Sequence, residues 1–288
     1  MAMEKQPCEK AAKPKRRKRC LVVLILLAAF GAVILVFSQI PNESPVVSRP
    51  VITIKGLPET FDGLTIAFLA DIHHGPTMPP KAIKQIVEMT NDLNPDMVVL
   101  GGDYAYRSAQ FIWPCARQMA SLSAPMGMYF ILGNHDHWLG AESTVKALES
   151  IGAVDLDNKG VWMEKKGQRI LLGGVDDLWS GKPRLRPCLD MMGPEDICVL
   201  VSHNPDYAEK ITDPRIRLVL SGHTHGGQVY IPGIGAPIVP SRYGQKYRAG
   251  LVQAPSTQVY VSRGAGSISP NIRIACPPEI ALITLRRE

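Results

Sequence analysis

The residues able to do chemistry in this chain sit in five short clusters. They are Asp71-Ile72-His73-His74, Gly102-Asp103, Gly133-Asn134-His135-Asp136, Ser202-His203-Asn204 and Gly222-His223-Thr224-His225. The chain has seven histidines, and each lies within two residues of an Asp, an Asn or another His. Each cluster follows an apolar run that reads as a buried strand. Mixed Asp, His and Asn side chains without Cys suit hard or borderline divalent ions such as Mn²⁺, Fe or Zn²⁺. Two ions ~3.5–4 Å apart can share one carboxylate and clamp the phosphoryl oxygens of an in-line displacement, and a hydroxide between them is a nucleophile near neutral pH. Any one cluster alone reads equally well as a polar turn; five in series point to a metal site.

The elements that must position these clusters alternate along the chain. Strands are expected at Val51 to Lys55, Leu64 to Ala70, Met97 to Leu100, Met128 to Leu132, Arg169 to Val175, Ile197 to Val201, Ile216 to Leu220, near Val229, at Gln258 to Val261 and at Ile280 to Leu285. Helices are expected over Pro80 to Leu93, Ala109 to Leu122 and Ser143 to Ile151. This alternation implies an α/β fold with much parallel or mixed sheet. Ligands of such sheets gather beyond the carboxyl ends of the strands. His223-Thr224-His225 is expected to be extended, with His223 facing one ion, His225 the other and Thr224 directed away.

Residues 1–20 hold eight of the 32 basic residues and two of the 26 acidic ones, which leaves the remainder balanced at 24 of each. The positive charge therefore belongs to a tail, and a nucleic-acid-binding body is not indicated. Leu21 to Phe37 is uncharged throughout, and the stretch 21–40 has the length of a membrane span. With basic residues before it, the span predicts a single-pass cell-membrane protein: a cytoplasmic tail (1–20), an anchor (21–40), a linker (41–50) and an extracytoplasmic domain (51–288). No Cys-x-x-Cys pair occurs, and the pairing of Cys115, Cys188, Cys198 and Cys276 stays open.

In these five clusters the chain resembles the calcineurin-like metallophosphoesterase superfamily, whose ordered motifs are Asp-x-His, Gly-Asp, Gly-Asn-His-Asp/Glu, His and Gly-His-x-His. The stretches GNHDHW (133–138), His203-Asn204-Pro205-Asp206 and SGHTHGGQ (221–228) make it similar to a membrane-associated or exported bacterial branch, which includes phosphodiesterases and UDP-diacylglucosamine hydrolase-like enzymes. The resemblance implies a four-layer α-β-β-α sandwich holding two divalent ions. Asp71, His73 and His225 would hold the first ion, Asn134, His203 and His223 the second, and Asp103 both. His135 would act near the phosphate. The chain departs from many relatives at Tyr106, where they carry an Asp that orients the catalytic His; Asp136 is the candidate to replace it. Arg107 and His74 are candidate substrate contacts, or a solvated loop Arg and a support for the ligands. Arg242, Tyr243, Tyr247 and Arg248 lie in a Gly/Pro-rich loop, and Trp138, Trp162 and Trp179 read as core or rim. The expected activity is hydrolysis of a phosphodiester or pyrophosphate, lipid-linked in one reading, by a monomer. A non-catalytic metal-stabilised binding module and a secreted nucleotide phosphodiesterase are the competing readings.

Overall fold

The computed structural model describes residues 44–288, together with helical Leu21 and Ile25. The remainder of the expected anchor, 21–40, lies outside the described residues. Among the described residues no helix is long and apolar enough to cross a membrane.

In chain order the elements are β1 (Val46–Ser48), β2 (Val51–Ile54), β3 (Thr65–Leu69), α1 (Pro80–Asp92), β4 (Met97–Leu100), α2 (Ile112–Met119), β5 (Met128–Phe130), α3 (Asn134–Glu149), β6 (Val154–Asp155), β7 (Gly160–Lys165), β8 (Gln168–Gly174), α4 (Arg186–Leu189), β9 (Cys198–Val201), β10 (Ile216–Ser221), β11 (Gly250–Gln253), β12 (Gln258–Val261) and β13 (Glu279–Arg287). One sheet runs β1-β13-β3-β4-β5-β6, with β2 also on β13; the other runs β11-β12-β10-β9-β8-β7. Both are mixed. For example, β3, β4, β5 and β6 are parallel, while β13 is antiparallel to β3. Likewise β8, β9, β10 and β12 are parallel, with β7 and β11 antiparallel at the edges.

Side-chain alternation sorts the core. Ile66, Phe68, Met97, Val99, Tyr129 and Ile131 of the first sheet share one cluster with Ile170, Leu172, Val199, Val201, Leu218 and Leu220 of the second. The alternate residues Ala67, Leu69, Val98, Leu100 and Phe130 join Ile83, Ile86 and Val87 of α1 and Cys115 and Met119 of α2. On the second sheet Leu171, Cys198, Leu200 and Val219 join Cys188 of α4 and Tyr207 and Ala208. Strands buried on both faces need continuous apolar runs, and MVVL and CVLV supply them.

Several sequence expectations are corrected. The second helix is shorter: Ala109–Phe111 is a 3-10 turn and only Ile112–Met119 is α-helical. The third helix starts at Asn134 rather than at Ser143, with a break at Gly140 (φ 138°, ψ 82°). Asp136 makes this early start possible, because its carboxylate accepts the Gly133 N–H at 2.9 Å and caps the first turn. Val46–Ser48, inside the expected linker, pairs with Glu279–Ala281. Val229 forms only an isolated bridge with Ile274. Cys115, Cys188, Cys198 and Cys276 are buried free thiols.

Candidate metal centre

Every cluster singled out in the sequence lies just beyond the carboxyl end of a strand: β3 for Asp71 and His73, β4 for Asp103, β5 for Asn134 and His135, β9 for His203 and β10 for His223 and His225. Within each sheet the neighbouring strand ends stay hydrogen-bonded there, and an amide crosses between the sheets. The Asp71 N–H donates to the Gly102 carbonyl at 2.9 Å and the Gly222 N–H to the His203 carbonyl at 3.0 Å. Across 152 residues of sequence, the His223 N–H reaches both carboxylate oxygens of Asp71 at 3.0 Å. Glycine permits this closeness. A Cβ on Gly133 would lie 2.2 Å from Asp103 Oδ1, and one on Gly222 would lie 2.5 Å from Asp71 Oδ2.

The side chains form three overlapping groups of possible ligands: Asp71, His73 and His225; His73, Asp103 and His135; and Asp71, Asp103 and His203. His73 Nε2 and His225 Nε2 stand 3.1 Å apart, and His225 Nε2 is 3.6 Å from Asp71 Oδ1. Asp103 Oδ2 is 3.5 Å from His73 Nε2 and 3.3 Å from His203 Nε2. The His203 Nδ1–H donates to the Gly101 carbonyl at 2.8 Å, which turns Nε2 inward. On the far side the His223 ring stands edge-on to Trp179 (4.3 Å) and to His203 (5.1 Å).

Buried atoms without partners test whether this donor set fits cations. Asn134 Oδ1, His203 Nε2 and His223 Nε2 are buried and make no hydrogen bond. Unpaired buried polar atoms are costly, and bound cations would satisfy these three. Burial holds His73 and His223 down at about 3, and, with His73 nearby, holds His225 well below the usual histidine range. These imidazoles are therefore neutral at pH 7, as ligation requires. His203 differs. Burial opposes its charge, but Asp103 and Asp71 outweigh burial and raise it well above the usual range. In this pocket of carboxylates the site attracts positive charge.

The backbone at the centre is unusual. Asp71, His73, Asp103, His223 and His225 have φ of 56°, 50°, 61°, 69° and 52°, in the left-handed region that non-glycine residues rarely adopt. The expectation of an extended His223-Thr224-His225 is thereby corrected: Thr224 is helical (φ −82°, ψ −14°) and His225 opens a 3-10 turn. The two imidazoles part, one toward His203 and one toward His73, because both residues have positive φ; an extended segment would have put both on one face.

The remaining predicted site residues fall in different places. His135 is half-buried at the rim, with its ring 4.7 Å from both His73 and Trp138, and its N–H donates to Asp103 Oδ1 at 2.9 Å. Asp136 faces away from His135. Its carboxylate accepts the N–H groups of Asp103 (2.7 Å), Gly133 (2.9 Å) and Tyr104 (3.0 Å). Tyr106 packs edge-on to His73 at 5.5 Å, and its hydroxyl accepts the Ser269 N–H at 3.2 Å. His74 is buried and spends its Nδ1–H on the Met78 carbonyl at 2.7 Å. Arg107 is exposed, with its guanidinium over the Tyr106 ring at 5.4 Å.

Two residues join the site without having been singled out in the sequence. Arg273 is folded against the His225 segment and donates to the carbonyls of Arg263 (2.8 Å), Gly266 (2.6 Å) and Cys276 (3.0 Å). No local motif marks it. Asp177 is fully buried; Oδ2 accepts the N–H groups of Trp179 and Ser180, while Oδ1 has no partner. Its strand-end position in LLGGVDD is the signal that could have found it.

Comparison with known proteins gives a consistent result. The calcineurin-like phosphoesterase family matches residues 64–227. The chain is 34% identical over 243 residues to an uncharacterized metallophosphoesterase of Bacillus subtilis, YkuE, covering 81% of this chain and 84% of that one. It is 31% identical over 224 residues to the Escherichia coli phosphodiesterase YaeI, covering 76% and 81%. It is 32% identical over 280 residues to a zebrafish transmembrane protein with a metallophosphoesterase domain, covering 93% of this chain and 62% of the relative.

Proposed function

The chain belongs to the calcineurin-like phosphoesterases and is a metal-dependent phosphoester hydrolase; from that premise we propose that it cleaves phosphodiester or pyrophosphate bonds at a centre of two divalent ions. The observation that carries the two-ion reading is the trio of unpaired buried atoms, Asn134 Oδ1, His203 Nε2 and His223 Nε2. Asp103 Oδ2 reaches toward His73 on one side and His203 on the other. Asp71, His73 and His225 would hold one ion and Asn134, His203 and His223 the other, with Asp103 shared. Bound ions supply Lewis-acid charge for the phosphoryl oxygens and activate the attacking water.

The chain's own groups do the rest. Asp136 fixes the backbone of Asp103 and so the aim of its carboxylate. His135 sits at the open edge and offers its ring to the phosphate or to the leaving oxygen. Burial keeps His135 below the usual histidine range, so it is neutral at pH 7 and acts first as a hydrogen-bond donor. Trp138 and Trp179 flank His135 and His223 on the solvent side. The preference for a diester follows from the phosphodiesterase relative in Escherichia coli. A lipid-linked substrate follows from the uncharged stretch 21–40, which anchors the catalytic unit on the extracytoplasmic side of a membrane. The test is turnover of bis-p-nitrophenyl phosphate by the purified full chain with Mn²⁺, Fe²⁺ or Zn²⁺. Activity lost in Asp103→Asn supports the reading. No turnover with any metal, or equal turnover in that variant, refutes it and leaves a metal-stabilised binding module.

A further inference from the structure

A second surface begins where the metal-site histidines end. Between Asp213 and Glu279 the chain has no acidic residue, but it has Arg215, Arg217, Arg242, Lys246, Arg248, Arg263 and Arg273. Within this span the loop 229–248 leaves large aliphatic side chains in water: Ile234 is 76% exposed and Ile238 77%, with Ile231 and Tyr243 also exposed. Clustered exposed isoleucines mark a contact surface rather than a solvent surface.

The loop is built to hold these tips out. Ile231 and Gly235 exchange backbone hydrogen bonds at 3.0 and 2.9 Å. The Gln245 side chain brackets Ala236, accepting its N–H at 3.0 Å and donating to its carbonyl at 2.6 Å. The Asp206 carboxylate accepts the Ser241 hydroxyl and the Arg242 N–H. The Arg248 guanidinium lies 4.3 Å over the Tyr230 ring. The loop also abuts the metal centre. A Cβ on Gly227, two residues past His225, would lie 2.5 Å from Ala236 Cβ and 2.7 Å from the Ile238 carbonyl oxygen.

We propose that the loop 229–248 seats the enzyme on an anionic lipid bilayer, with Ile231, Ile234 and Ile238 entering the acyl–headgroup boundary and Arg242 on the lipid phosphates. Amphipathic surfaces of this composition sink ~5–10 Å into that boundary. Tyr243, apolar in its body and polar at its tip, suits the interface. Lys246 is paired with Glu209 and the Arg242 amide with Asp206, so selection of an anionic surface over a neutral one rests on the Arg242 and Arg248 guanidiniums, at about fivefold for each basic residue near the membrane. Seated in this way, the bilayer lies beside His225, and a phosphodiester carried in the membrane meets the metal centre without leaving it. Only this last consequence rests on the hydrolase reading.

The test uses the full chain in phosphatidylglycerol–phosphatidylcholine vesicles. An environment-sensitive fluorophore is placed at Ile238→Cys in a Cys8→Ser, Cys20→Ser background, the other four cysteines being buried. A control carries it at Lys84→Cys on α1. The expected result is quenching by lipid-borne quenchers several-fold stronger at position 238 than at position 84, and weakened by Arg242→Glu or by pure phosphatidylcholine. An unquenched label at 238 overturns the proposal. So does a label shielded from water but not quenched by lipid, which would give the patch to residues 21–40 or to a second copy. Replacing Ile234 and Ile238 together by Asp should lower turnover of a bilayer-borne phosphodiester on the order of tenfold and leave soluble bis-p-nitrophenyl phosphate turnover within about twofold. Equal loss on both substrates overturns the docking role. Failure of the wild type on both, with quenching intact, would refute the hydrolase reading and not the docking.

Discussion

Replacing Asp136 by Asn separates a structural role for this residue from a chemical one. The carboxylate is fully buried, and its two oxygens accept three backbone N–H groups, those of Asp103, Gly133 and Tyr104. Asn presents one carbonyl oxygen. Placed at the Oδ2 position, that oxygen keeps the Asp103 and Gly133 bonds. The amide nitrogen then faces the Tyr104 N–H, donor against donor, which leaves one buried N–H unpaired at a cost of about 1–3 kcal/mol. Asp136→Ala abandons all three bonds, on the order of 3–9 kcal/mol, comparable with the whole stability of an ordinary domain; Asn is therefore the usable variant. Urea unfolding at pH 7.5, metal content and the pH dependence of kcat are measured on the same preparation. The expected outcome is a stability loss of about 1–3 kcal/mol and weaker metal retention as Asp103 loosens. The shape of the kcat–pH profile should be unchanged at saturating metal. Unchanged stability with a reshaped acid limb would show that Asp136 acts through His135, and the clamp argument would fail.

Further outcomes follow from particular contacts. Gly133→Ala drives a methyl group to 2.2 Å from Asp103 Oδ1, so metal content and turnover should fall together; retention of both would contradict the close-approach argument. His223→Ala and His225→Ala should each abolish turnover yet deplete different metal positions, read by metal analysis with anomalous scattering, and two full sites in both variants would overturn the ligand assignment. Away from the site, Asp213 is held below the usual carboxylate range, first by its hydrogen bond from Arg215. Its stabilisation should be present above the unfolded value of 3.8 and be lost as pH falls through the lower folded value. Asp213→Asn should thus cost about 0.5–1 kcal/mol at pH 7, with the deficit shrinking in unfolding curves taken below pH 3.8; a deficit constant down to pH 2 would argue against it.

The sequence by itself determined the strands that carry the site, β3, β4, β5, β9 and β10, and the chemical types at their ends. Apolar runs such as MVVL and CVLV fix buried strands locally, and the Asp, Asn, His and Gly residues after them are visible as breaks in hydrophobicity. Tertiary structure decided what each polar group does. Asp103 and Asp136 look equivalent in the sequence, yet one carboxylate turns toward His73 and His203 and the other caps three amides. His73 and His74 are neighbours, yet one faces His225 and the other Met78. Arg273 carries no local signal because its partners are loop carbonyls assembled by the fold. The physical reason is that side-chain direction follows φ and ψ. The left-handed conformations of Asp71, His73, Asp103, His223 and His225 each cost on the order of 1–3 kcal/mol and persist only where the surroundings compel them. Contacts such as the His223 amide on Asp71 supply that compulsion from 152 residues away, beyond the reach of any local pattern.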